Sequence, residues 1–203
     1  MLKNRQNFLF RGFVGSEACK VQNNISFTAK FISPAVVKKS LGTGKYLPKE
    51  VSCVELSANN KRDVQALKEV HELWGKNDYS GAIYDEAVCI NDFYEDYRPR
   101  FYAITKQKDS FEYLKAADVL GIAELSPNFG LIKSLDYLQT NPKFLNKVLP
   151  AFKHVGTAML NCIENINKGH RIEINSVPDA ESFYLKNGYK RLEKDGHIFF
   201  KDV

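Results

Sequence analysis

The chain has 203 residues, 44% hydrophobic and 26% charged, with mean hydropathy −0.35 and net charge +5. That length can bury a sizeable core, and the composition is that of a globular chain, not a disordered or fibrous one. No apolar run approaches the roughly 18 residues of a membrane span, and Arg11 interrupts the apolar patch Phe8–Phe10, so no membrane partner and no signal peptide are expected.

The charge is uneven. Residues 1–50 carry nine Lys or Arg against Glu17 and Glu50, an excess larger than that of the whole chain, so the remainder is slightly acidic. A basic N-terminal extension, 1–50, is therefore set apart from a domain over 51–203. It is either a solvated basic surface or a contact for an acidic or nucleic-acid partner. Cys19, Cys53, Cys89 and Cys162 have neither metal-ligand spacing nor the look of a disulfide framework. Free thiols are expected, which suits a reducing cytoplasm, and no metal site is expected.

In chain order, the partial alternation of Ile25, Phe27, Ala29 and Phe31 predicts a strand ending at Pro34. Residues 41–48 read as a turn or linker, and they are not a nucleotide-binding P-loop because residue 39 is Lys. Val51–Leu56 is a short strand, after which Asn59 or Asn60 caps a helix bearing Val64, Leu67, Val70, His71 and Trp74 on one face, with Gly75 as its stop. His71 reads as a packed histidine, because residue 75, where a zinc helix needs its second His, is Gly. Between Asp78 and Tyr97 lie six acids and no Lys or Arg, with tyrosines interleaved. The segment is either an acidic amphipathic helix or a groove for a cationic amine.

Phe101–Thr105, Val119–Leu125 and Leu131–Thr140 predict three consecutive strands of an antiparallel meander, with a turn over 126–130. Ala151–Leu160 reads as a loop turning into a helix whose apolar face is Met159, Leu160, Ile163 and Ile166. A helix start carries unpaired N–H groups and attracts phosphate, and Gly156 lets the backbone approach a bound group. A strand over 171–177, a short helix opened by Pro178-Asp179 and a hairpin over Asp195-Gly196 complete the chain.

Two stretches resemble a known family. Lys153-His154-Val155-Gly156-Thr157-Ala158 resembles the Arg/Gln-x-x-Gly-x-Gly/Ala signature of the GNAT superfamily of N-acetyltransferases, with Lys153 in the first position. The segment 180–189, Ala-Glu-Ser-Phe-Tyr-Leu-Lys-Asn-Gly-Tyr, resembles that family's Ala-x-x-Phe-Tyr-x-x-x-Gly-Phe segment. The resemblance runs from about Val51 to the C-terminus. It implies an α+β fold with a mixed sheet, a meander followed by β-α-β-α-β-β, splayed between its fourth and fifth strands to take acetyl-CoA as co-substrate.

Carried over by the resemblance, the backbone of Val155, Gly156, Thr157 and Ala158 holds the pyrophosphate, with Lys153 and His154 beside it. The backbone around Leu138 and Thr140 takes the pantetheine arm, and Lys186 falls within the second motif as a further cofactor contact. Tyr184 is the implied acid for the departing thiolate, and Glu124 and Asp136 are the candidate bases for an amine acceptor. Lys143–Pro150 is extra relative to the family; it either reshapes the acceptor entrance or forms a turn of helix. Two other functions stay open: a binding module that keeps the fold without catalysis, and a transferase delivered to RNA or a ribonucleoprotein by residues 1–50.

Overall fold

The computed structural model describes residues 29–75, 79–90, 98–108, 111–145 and 148–203. The strands form one nine-stranded sheet. They are β1 (Lys30–Ser40), β2 (Tyr46–Leu56), β3 (Arg100–Thr105), β4 (Val119–Pro127), β5 (Ile132–Thr140), β6 (Phe152–Lys153), β7 (Arg171–Asn175), β8 (Lys190–Arg191) and β9 (Ile198–Asp202). The order is β6-β1-β2-β3-β4-β5-β7-β9-β8, antiparallel throughout except for β5 and β7. The meander therefore comprises five sequential neighbours, β1 to β5, not three. The α+β class and mixed sheet read from the sequence are what the chain adopts.

Four helices cover the two faces: α1 (Lys61–Trp74), α2 (Tyr79–Val88), α3 (Val155–Ile166) and α4 (Glu181–Lys186). The inner strands β3 and β4 are apolar on both sides because both faces are covered. Successive residues then serve opposite layers. Val54, Phe101, Ala103 and Ile122 pack with Leu67, Val70 and Trp74 of α1 and Ile83 of α2. Cys53, Tyr102, Ile104 and Ala123 pack with Met159, Leu160 and Ile163 of α3. Asn60 caps α1 by accepting from the Arg62 N–H, and Gly75 closes it at φ 104°. His71 is a packing residue: its ring stacks on Tyr84, and a Cβ on Gly81 would come within 2.9 Å of it.

Three expectations change. The strand expected to stop at Pro34 runs on to Ser40, because Pro34 lies near the sheet's edge, where its missing N–H costs no ladder bond. The boundary drawn at residue 50 falls inside β2, and residues 30–50 form a hairpin of the sheet. Asp63 fastens that hairpin to α1, its buried carboxylate accepting from the N–H groups of Ala29 (3.0 Å) and Ser57 (2.8 Å). Residues 1–28, which hold Cys19 and less than half of the N-terminal basic excess, lie outside the described residues.

Cys53 and Cys162 are not free. They form a disulfide that joins β2 to α3 across a sequence separation of 109. Their spacing carries no sign of it, since the pairing is made by packing α3 on the sheet. The inference of a reducing compartment from free thiols therefore loses its basis. No helix among the described residues is long and apolar enough to cross a membrane.

Candidate active site

The parallel pairing of β5 with β7 covers only Ile132–Ser134 against Arg171–Glu173. Beyond Ser134 the two strands part, although β5 continues to Thr140. The gap is a cleft of about 1060 Å³, at the upper end of the roughly 300–1,000 Å³ usual for small-molecule sites. Tyr79 lines it from the α2 side and Tyr184 from α4 on the other face, so the cleft passes through the sheet.

Helix α3 begins in this cleft. His154 adopts a left-handed conformation (φ 63°, ψ 21°), alone among described residues other than glycine. No side chain caps the helix and no acid lies in its first turn. The N–H of Ala158 already donates to the His154 carbonyl (2.9 Å), which leaves the earlier groups of Val155, Gly156 and Thr157 to serve a ligand. A left-handed residue before a right-handed turn gathers such donors into a concave anion site, at the positive end of the helix dipole. Gly156 has a second role: a Cβ there would stand 2.9 Å from Phe183 Cζ. The glycine lets the Phe183 ring lie over the helix start, which builds the cleft wall.

The approach to α3 is built by the residues that looked like an insertion. Asn141 caps a single turn, Pro142–Phe144, and Phe144, Leu145, Pro150 and Phe152 give the cleft an apolar wall. That turn is a 3-10 turn, and residues 146–147 of the stretch lie outside the described residues. Strand β6 then pairs with β1, Lys153 opposite Lys38 and Phe152 opposite Lys39. Lys153 Nζ sits 4.2 Å above the Tyr46 ring, whose hydroxyl donates to the Pro150 carbonyl.

Tyr184 is 7% exposed, with Phe183, Tyr189 and Phe199 around its ring. Burial, followed by the nearby Tyr79, pushes its phenol up to about 12. It keeps its proton at neutral pH, as a proton donor must. The Glu181 carboxylate on the same helix accepts from Arg191 and lies 2.7 Å from His197 Nδ1, which ties α4 to the last hairpin.

A second depression, about 420 Å³, adjoins the cleft and shares Tyr79 with it. Glu124 of β4 lines it and is 3% exposed, with one buried carboxylate oxygen, Oε2, lacking any partner. Burial, then the charges of Glu86 and Asp136, raises Glu124 to about 8. Asp136 is the extra residue of a β-bulge: Glu124 opposes Tyr137 while Leu125 opposes Leu135. Asp136 is exposed and accepts from the Ser134 hydroxyl (2.5 Å). The bulge turns Tyr137 onto the same face as Glu124, 5.5 Å from the Tyr79 ring. Gln139 accepts from the Ser80 N–H (2.6 Å), which fixes the start of α2 and with it Tyr79.

No family model matches the sequence, and no curated protein matches it significantly. Among solved structures, a protein from Desulfovibrio desulfuricans assigned to the GNAT family of acetyltransferases is similar over 74% of this chain and 98% of its own. Identity is 12% and the TM-score 0.50. The chain has the GNAT fold. An acetyltransferase from Streptococcus agalactiae (16% identity, 75% and 98% coverage, TM-score 0.48) is also similar. So is the Bacillus subtilis N-acetyltransferase YlbP, solved in complex with coenzyme A (15% identity, 75% and 97% coverage, TM-score 0.46).

Within this GNAT fold, Leu138, Thr140, Lys153, His154, Val155, Gly156, Thr157 and Tyr184 all line the one cleft. Ala158 lies buried behind it, and Lys186 is exposed at the end of α4, away from the lining. Glu124 and Asp136 line the adjoining depression. Tyr79 and Glu86 belong to the acidic, tyrosine-rich segment, of which residues 78 and 91–97 lie outside the described residues. Tyr137 had no sequence signal, since only the bulge gives it its direction.

Proposed function

We propose that the protein is an acetyl-CoA-dependent N-acetyltransferase that acts on a primary amine. The observation that carries this reading is the uncapped start of α3 opening into the β5–β7 gap, with the protonated Tyr184 on the facing wall. The residues present suit the coenzyme: free N–H groups of Val155, Gly156 and Thr157 for its pyrophosphate, the β5 edge at Leu138 and Thr140 for its pantetheine, and an apolar wall beside them. When bound, acetyl-CoA supplies a thioester as acyl donor.

The chain's own residues then divide the proton work. An amine arrives as an ammonium and must lose a proton before its nitrogen can bond to carbon; Glu124 takes that proton. The nitrogen gives up a second proton as the C–N bond forms and the C–S bond breaks. One of the two leaves through Glu124 to water, and the other ends on sulfur, passed by the Tyr184 hydroxyl. With Glu124 raised to about 8, the base is mostly protonated at pH 7, so turnover climbs as pH rises towards 8.

Calorimetry with acetyl-CoA and a thermal shift test the reading first, because a ligand that binds only the folded state raises Tm. Absence of both at millimolar acetyl-CoA refutes it. Given binding, Tyr184→Phe lowers kcat while the acetyl-CoA Kd stays within about twofold; an unaltered kcat removes Tyr184 from the donor role.

A further inference from the structure

The sequence leaves the amine unidentified, and the depression beside the cleft narrows it. Three carboxylates from three elements, Glu86 of α2, Glu124 of β4 and Asp136 of β5, line one space, and among the described residues no Lys, Arg or His lines it with them. Glu124 differs from the other two in being 3% exposed with an unpartnered, buried Oε2. A buried polar atom without a partner is costly unless a ligand completes it. Glu86 is half-buried and Asp136 is exposed at the bulge, so both stay near the mouth. Among the described residues no group of three or more His, Cys, Asp or Glu is placed to hold a metal ion. Tyr79 and Tyr137 line the same space, and their rings offer faces for methylenes or an ammonium.

Resting on the N-acetyltransferase reading, we propose that the acceptor is a small aliphatic diamine. Its reacting nitrogen sits at Glu124, beside the cleft, and its distal ammonium is held by Glu86 and Asp136. A monoamine of the same length satisfies Glu124 but leaves the outer carboxylates uncompensated. The distal cation also acts on the base. Glu86 and Asp136 are among the groups that keep Glu124 protonated, and a bound ammonium offsets their charge and favours the carboxylate form. Glu86 and Asp136 are thus specificity residues, and Glu124 touches the reacting nitrogen.

The test compares 1,4-diaminobutane with 4-amino-1-butanol, which has similar length and one ammonium. Two partly exposed charge contacts correspond to about tenfold. The full-length protein should show about tenfold higher kcat/KM for the diamine, and Glu86→Gln with Asp136→Asn should remove the preference mainly through KM. Direct calorimetry of 1,4-diaminobutane on the coenzyme A-loaded protein reads the same contact without turnover, and the double variant should weaken it by a similar factor. Equal kcat/KM for the two amines, diamine binding indifferent to the double substitution, or no diamine binding overturns the proposal while acetyl-CoA binding still stands. Failure to bind acetyl-CoA refutes the enzyme reading itself, by a separate measurement.

Discussion

Glu124→Gln isolates the cost of a buried carboxylate, because glutamine keeps the shape and removes the charge. Below pH 4.5 the glutamate is protonated in both folded and unfolded chains. Between 4.5 and about 8 only the folded chain keeps the proton, and above 8 the fold must bury an anion. The stability contributed by the protonated form is therefore present at low pH and lost as pH rises through that window. At about 1.4 kcal/mol for each tenfold step, the loss between pH 5 and 9 is roughly 4 kcal/mol. For a chain of this size, 1 kcal/mol moves Tm by roughly 2–4 °C. The Glu124→Gln protein should match wild type at pH 5 and exceed it by roughly 10 °C at pH 9, read by differential scanning fluorimetry in matched salt. Titrating groups distant from Glu124 are common to both proteins and cancel in the difference, whereas Glu86 and Asp136 couple to it. A gap that is the same at both pH values refutes the claim that burial holds a proton on Glu124, and with it the assignment of the base.

Three further perturbations address the frame of the site. Gly156→Ala drives a Cβ to 2.9 Å from Phe183, so it should cost about 1–3 kcal/mol and weaken acetyl-CoA binding, with Phe183→Leu in the same chain restoring most of the Tm. Asp63→Ala leaves the buried N–H groups of Ala29 and Ser57 without an acceptor and should cost about 3 kcal/mol by urea denaturation; a loss below about 1 kcal/mol means that water satisfies them. Peptide mapping without reductant should recover Cys53 joined to Cys162, and replacing both with Ala should cost roughly 2–4 kcal/mol, whereas alkylation of all four cysteines in the unfolded, unreduced chain excludes the bond.

The elements that sequence periodicity exposes best are those that fill the middle of the sheet. Strands β3 and β4 are apolar runs, β5 is a mixed run bounded by turn residues, and α1 shows a cap, a face and a stop. Glu124 and Tyr184 stand out as polar groups within such patterned segments. Three features needed the third dimension. The bulge at Asp136 has no Gly or Pro to mark it, so the orientation of Tyr137 could not be read. The disulfide joins residues 109 apart, and neither Cys53 nor Cys162 sits in a motif. The sequence marks Gly156 as a place where the backbone approaches a bound group, whereas the group that the structure brings against it is Phe183, from the second motif, so both motifs meet in one wall.

Strand β6 also changes what the N-terminal part of the chain means. The two residues that lead into α3 are hydrogen-bonded to Lys38 and Lys39, and the Ser40 N–H donates to the Ala151 carbonyl at 2.9 Å. The lip of the cleft is thus suspended from a strand over 110 residues earlier in the chain, at the opposite margin of the sheet from β8. A shortened protein that begins after residue 40 would not simply lack a basic tail. It would lose β1 and the buried Val37 along with the support on which the turn into α3 is hung, so a lower Tm would accompany any loss at the cleft.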